Sequence, residues 1–171
     1  MSKVIIGCDP GTGGALAVLW EGGLLEVYDL KDCYAPTGAY NSLDPVLLSK
    51  LIDTISTHRY HPNCPVVFCE ESLNFGKDSS RATSSIFDSR GVLRTVFMMR
   101  GCSVNFIPSQ TWKRRFGLLK TYKSASVEKA CEVFPDHENL FKRPKPGGGE
   151  KLLDGRAEAA LIAKYGEEVT K

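Results

Sequence analysis

Three short apolar runs separated by glycine turns open this chain, and they constrain its fold more than any other feature. The runs are "KVIIGCD" (3–9), "ALAVLW" (15–20) and "LLEVYDL" (24–30). The turns "PGTGG" and "EGG" leave no length for a helix between them. Such a pattern predicts three antiparallel strands in a meander. Residues 31–43 read as a polar loop. The spacing then predicts a helix over 44–59, with Asp44 as cap, Pro45 in the first helical position, and Leu47, Leu48, Leu51, Ile52 and Ile55 as its stripe. "PVVFCE" (65–70) reads as a short buried strand and residues 79–100 as a long helix with Ala82, Ile86, Leu93 and Phe97 toward the core. "CSVNFI" (102–107) makes a fifth strand. A short helix carrying "QTWKRRF" follows Pro108, and Pro135 stops a helix over 124–134 built on Val127, Ala130, Cys131 and Phe134. Residues 142–151, "KRPKPGGGEK", read as a basic flexible loop before a last helix on "LLDGRAEAALIA".

The order is β-β-β-α-β-α-β and then helices, which is the ribonuclease H order. It predicts an α/β, RNase H-like fold with a five-stranded mixed sheet, strands 1–3 antiparallel and helices on both faces. The 171 residues show no repeat and no linker, so one domain over 1–171 is expected. No apolar run reaches membrane length, and "MSKVIIGCD" is neither a signal nor a transit peptide. The six cysteines form no C-x-x-C pair, which fits reduced, mostly buried thiols and no zinc site. An intracellular protein is expected, cytoplasmic or nucleoid-associated, or in the host cell for a phage or virus.

The acids carry the chemistry. On the last helix Asp154 and Glu158 are four residues apart and share a face with Leu161 and Tyr165. Two carboxylates therefore head the stripe that should be buried. Asp9 ends the first strand and Glu70 the fourth, and strand ends border the ligand crevice of such sheets. Val66, Phe68 and Glu70 alternate onto one strand face, which favours Glu70 over Glu71. Taken singly, Asp154 suits an N-cap, Asp9 a turn and Glu158 a solvated helix face. Converging carboxylates are tolerable only around cations. Asp9, Glu70, Asp154 and Glu158 are thus read as an all-oxygen cluster for two Mg²⁺ ions, with Mn²⁺ able to substitute. Two such ions serve phosphodiester hydrolysis.

Charge is divided along the chain. Residues 1–76 hold four Lys/Arg and nine Asp/Glu, and residues 77–151 hold fifteen and seven. An acidic part beside a basic part suits a polyanion held against metal-binding carboxylates.

"IGCDPGTGGALAV", "VFCEES", "IPSQTWKRRF" and "DGRAEAALIA" together resemble the RuvC-type Holliday junction resolvases, with the plant chloroplast branch the nearest likeness. The similarity runs from about Val4 to Tyr165. It implies a homodimeric, Mg²⁺-dependent endonuclease that resolves four-way DNA junctions by symmetric paired nicks. Asp9, Glu70 and Glu158 match three of the family's acids. Asp154 falls where the chloroplast branch has His and near a bacterial Asp, and the spacing of the last pair is four here against three in bacterial RuvC. Lys113 matches a catalytic lysine.

Around Lys113 lie Trp112, Arg114, Arg115, Lys120, Tyr122 and Lys123, cations interleaved with aromatics as in nucleic-acid surfaces. The alternative puts Trp112 and Phe116 in the core and only the cations on DNA. Lys142, Arg143 and Lys145 would add a mobile basic arm. Lys77 and Arg81, in or beside the polar segment "NFGKDSSRATSS", complete the expected DNA contacts. On the 79–100 helix Phe87, Gly91 and Met98 form a second apolar face, expected to meet its copy in a homodimer. Competing functions are another RNase H-fold nuclease, acting on branched DNA or RNA–DNA hybrids, and a junction-binding protein without catalysis. A kinase-type ATP-binding fold needs a longer chain with two lobes.

Overall fold

A computed structural model describes residues 4–20, 23, 25–38, 40–59, 66–71, 80–122 and 124–170, with the backbone alone at 56–59 and 69–71. Strands β1 (Ile5–Asp9), β2 (Ala15–Leu19) and β3 (Leu25–Asp29) form the expected antiparallel meander.

The polar-loop reading of 31–43 is corrected. A 3-10 turn over Lys31–Cys33 leads into β4 (Tyr34–Pro36) and β5 (Asn41–Leu43), which pair as a small separate sheet. Cys33, Ser42 and Leu43 are buried. Too few apolar residues face inward for the hairpin to stand out as alternation.

Helix α1 (Pro45–Arg59) starts as expected, with Asp44 Oδ1 accepting from the backbone N–H of Val46 at 2.7 Å and of Leu47 at 3.0 Å. Next come β6 (Val66–Glu71), α2 (Ser80–Met99), β7 (Ser103–Pro108), α3 (Ser109–Arg115), α4 (Ala125–Val133) and α5 (Glu138–Phe141). The "flexible" stretch 142–151 is also corrected. It contains β8 (Lys142–Pro144) and most of β9 (Glu150–Leu152), an antiparallel pair. Gly147, Gly148 and Gly149 turn the chain between them at φ 90°, 101° and 78°, a region that favours glycine. Helix α6 (Asp154–Val169) ends the fold.

The main sheet runs β3-β2-β1-β6-β7, with β6 parallel to both β1 and β7. It is the mixed five-stranded sheet expected. Strand alternation divides the core. Ile6, Cys8, Leu16, Val18 and Val67 pack with α1 and α2 on one face. Ile5, Ala15, Ala17 and Phe68 pack with α4, α5 and α6 on the other.

That second face is built from small residues, and this sets the position of α6. A Cβ on Gly7 of β1 would lie 2.1 Å from the Ala159 carbonyl oxygen and 2.3 Å from the Ala163 nitrogen. Ala157, Ala159, Ala160 and Ala163 are all fully buried. The helix backbone therefore lies directly on the strand, closer than any larger side chain permits.

Cys8, Cys33 and Cys102 are buried free thiols and Cys131 is half-buried, as the spacing implied. Desolvation holds the Cys33 and Cys131 thiols above their ordinary value. Among the described residues no helix is long and apolar enough to cross a membrane.

Candidate active site

The head of α6 is pressed against the turn that follows β1. A Cβ on Gly155 would fall 2.1 Å from the Gly13 carbonyl oxygen, and one on Gly14 would fall 1.9 Å from the carbonyl oxygen of Asp9. These contacts bring the C-terminal end of β1 to the first turns of α6. Asp9 is the last residue of β1 and half-buried, Asp154 is the first residue of α6, and Glu158 is one turn on. The N-cap of α6 is Leu153, with no side-chain capping bond, so Asp154 does not serve as the cap.

Backbone register brings the fourth acid position to the same sheet end. Position 70 pairs with Ile107 and position 71 with Pro108. The Glu70 and Glu71 side chains, and Lys77 and Lys123 altogether, lie outside the described residues. Among the described residues no three His, Cys, Asp or Glu side chains group as metal ligands. The three described acids offer carboxylate oxygen only, the donor type that Mg²⁺ and Mn²⁺ take.

Ser126 and Lys113 both reach Glu158. Ser126 of α4 donates its hydroxyl to Glu158 Oε1 at 2.9 Å. Lys113 Nζ of α3 lies 3.4 Å from the same oxygen. That separation is an ion pair rather than a good hydrogen bond. Both side chains are about three-quarters covered, at 28% and 20% exposure, so solvent screens the pair less than a surface one.

Trp112 is the point on which the DNA-contact expectation fails. It is 0% exposed and packs in the core beneath α6, so it offers no face to a base. The burial has a consequence for its neighbour. With Trp112 locked, α3 is pinned, and the Lys113 ammonium sits 5.0 Å from the centre of the Trp112 ring. Phe116 packs against the same core, as the alternative reading had it.

The remaining cations are spread over the surface. Arg114, Lys120 and Tyr122 are exposed. Arg115 Nε donates to Glu168 Oε2 at 2.7 Å, and Lys142 pairs with Glu138. The Tyr122 hydroxyl donates to Glu128 at 3.1 Å, and that bond raises its pKa. Arg143 and Lys145 stand exposed on the β8–β9 hairpin. Arg81 lines a separate groove with Thr12, Tyr40 and Ser85.

Two groups were not legible beforehand. Ser126 carries no motif, since its value lies only in facing α6. Arg156, set between the two acids, makes a forked contact with Asp29 at the end of β3. Its Nε donates to Oδ1 at 2.6 Å and its terminal nitrogen to Oδ2 at 2.8 Å. The fork fixes the first turn of α6 to the sheet.

No protein-family model matches the chain, and no curated protein matches it in sequence. Solved structures do. A structure of Thermus thermophilus RuvC aligns with TM-score 0.57 at 14% identity over 98% of this chain and 96% of that one. T. thermophilus RuvC in complex with Holliday junction substrate gives 0.54 at 14% over 94% and 90%. The yeast mitochondrial Holliday junction resolvase Ydc2 gives 0.53 at 13% over 94% and 76%. In its mixed five-stranded sheet and two helical faces, the chain has the RNase H-like fold of these RuvC structures.

Proposed function

We propose that the protein is a metal-dependent endonuclease that resolves four-way DNA junctions by symmetric paired nicks. The observation that carries this reading is the close packing of the first turn of α6, which begins at Asp154, on the turn after β1, which ends at Asp9, with Lys113 3.4 Å from Glu158 one helical turn on. The likeness in fold to RuvC and Ydc2, both structures of junction resolvases, supports it. The plant chloroplast branch rests on the motif residues alone.

Asp9, Glu70, Asp154 and Glu158 would hold two Mg²⁺ ions. When bound, these ions activate water and neutralise the leaving oxygen. Ser126 fixes the Glu158 carboxylate, and Lys113 pairs with it. From that position the Lys113 ammonium would meet the negative charge that builds on the phosphate in the transition state. Arg114, Lys120, Arg143 and Lys145 supply backbone contacts.

Symmetric cutting needs two sites related by a two-fold axis. Phe87 and Met98 on α2 are 47% and 52% exposed, and Gly91 between them is exposed. This apolar face is our proposed homodimer contact. The whole chain then acts as one nuclease domain.

The test is competition. A labelled four-way junction is challenged with unlabelled junction, matched duplex and RNA–DNA hybrid. The proposal expects displacement by junction at concentrations far below the others. Equal displacement by hybrid would replace it with a general RNase H-fold nuclease.

A further inference from the structure

Beside the candidate active site lies a cavity of about 240 Å³, bounded by the β1–β2 turn, the end of β3, the β8–β9 hairpin and the first turn of α6. Asp154 forms part of its wall, so it adjoins the acids. Lys31, Arg143, Lys151 and Arg156 also line it, against the carboxylates of Asp29 and Asp154.

The charges do not cancel. Arg156 and Asp29 satisfy each other through their fork. Lys31 and Arg143 also act on Asp29, so with Lys151 the cavity sets four cations against two carboxylates, an excess of two positive charges. No ion pair to Lys31, Arg143 or Lys151 is found among the described residues.

The hairpin makes the excess more telling. Arg143 of β8 and Lys151 of β9 are direct partners across the ladder. Directly opposed residues of an antiparallel pair share a face with Cβ atoms about 5 Å apart, and like charges there destabilise the pair. Three cations around one concave space, two of them held opposite each other, are stable together when an anion lies between them. The cavity is smaller than the roughly 300–1,000 Å³ of drug-sized ligand sites. A single phosphate group with part of its sugar fits that scale.

We propose that this cavity is a phosphate-binding subsite, which seats a backbone phosphate of the nucleic acid next to the one at the acids. The proposal rests on the nuclease reading for the source of that phosphate, though not for the site itself. Lys31 and Lys151 are its new contacts, and the hairpin clamps the strand through Arg143. Two corrected loops thus become one device: the turn after β3 and the hairpin before α6 grip the strand from two sides.

The test compares wild type with the double variant Lys31→Ala, Lys151→Ala, both surface positions whose loss leaves the core intact. In one arm, fluorescent four-way junction is titrated in EDTA at several salt concentrations. In the other, thermal unfolding is followed with inorganic phosphate against chloride at equal ionic strength. The subsite predicts roughly tenfold weaker junction binding in the variant and a log–log salt slope shallower by about one. It also predicts that phosphate raises the wild-type melting temperature and leaves the variant's unchanged. Phosphate stabilisation with an unchanged junction curve would overturn the backbone source in favour of free phosphate. No difference in either arm would overturn the subsite. A wild type that binds junction no better than duplex would instead sink the resolvase reading, and the phosphate arm would still decide the cavity.

Discussion

Lys113 and Glu158, on separate helices, hold their charges 3.4 Å apart at the mouth of the sheet end where β1 stops. Ser126 donates to the same Glu158 oxygen from a third helix. If Lys113 serves the phosphate as proposed, its loss acts on the rate more than on affinity. Lys113→Met should lower the nicking rate on the order of 100-fold while junction affinity changes less than about threefold. Ser126→Ala should lower the unfolding free energy by about 1 kcal/mol and slow nicking several-fold. Single-turnover nicking beside an EDTA binding curve checks both. Equal losses in rate and affinity for Lys113→Met would make it a plain phosphate contact.

Trp112 should behave as a core residue. Trp112→Ala is expected to destabilise by about 3–5 kcal/mol. Trp112→Phe should keep junction affinity within about twofold, since no base stacks on the ring. A large affinity loss in a well-folded Trp112→Phe protein would restore the stacking role.

Acid should release the head of α6. Hydrogen bonds from Arg156 hold the Asp29 carboxyl below its ordinary value of 3.8, against a smaller opposing effect of burial. A carboxyl depressed in the folded state stabilises fully above its unfolded pKa. That contribution is lost as pH falls through the lower folded value. Asp29→Asn should therefore be less stable than wild type near neutral pH, by roughly 2 kcal/mol. The gap should narrow below about pH 4. Urea titrations across pH 2–7 measure it, and parallel curves would assign the acid sensitivity elsewhere.

The homodimer expectation has its own test at the exposed face of α2. Phe87→Glu with Met98→Glu should convert a dimer to a monomer in sedimentation, with α2 still folded because Leu93 and Phe97 carry its core contacts. A variant that sediments as the wild type does would move the contact to another face.

What was legible in the sequence follows the reach of its signals. Period-two runs, glycine turns and the Asp44–Pro45 start act over a few residues, so the five strands of the main sheet and helices α1, α2, α3, α4 and α6 came out with small boundary shifts, while the four-residue α5 was not read. Asp154 and Glu158 shared a helical face by spacing alone. The β4–β5 and β8–β9 hairpins were missed because strands only three residues long carry too little alternation to read. Trp112 was misassigned because the cations that follow it say nothing of which way a ring turns. Ser126, and the fork between Arg156 and Asp29, depend on which helix lies on which strand. Gly7 decides that by letting α6 touch β1, a contact invisible before the fold is known.

The most direct measurement is cleavage of a labelled four-way junction by wild type and Asp9→Asn, each with Mg²⁺ or EDTA and beside matched duplex. The account predicts paired symmetric nicks in the junction by wild type with Mg²⁺, and none with EDTA or in Asp9→Asn. Tight junction binding with no nick under Mg²⁺ or Mn²⁺, or nicking that survives Asp9→Asn, would contradict it.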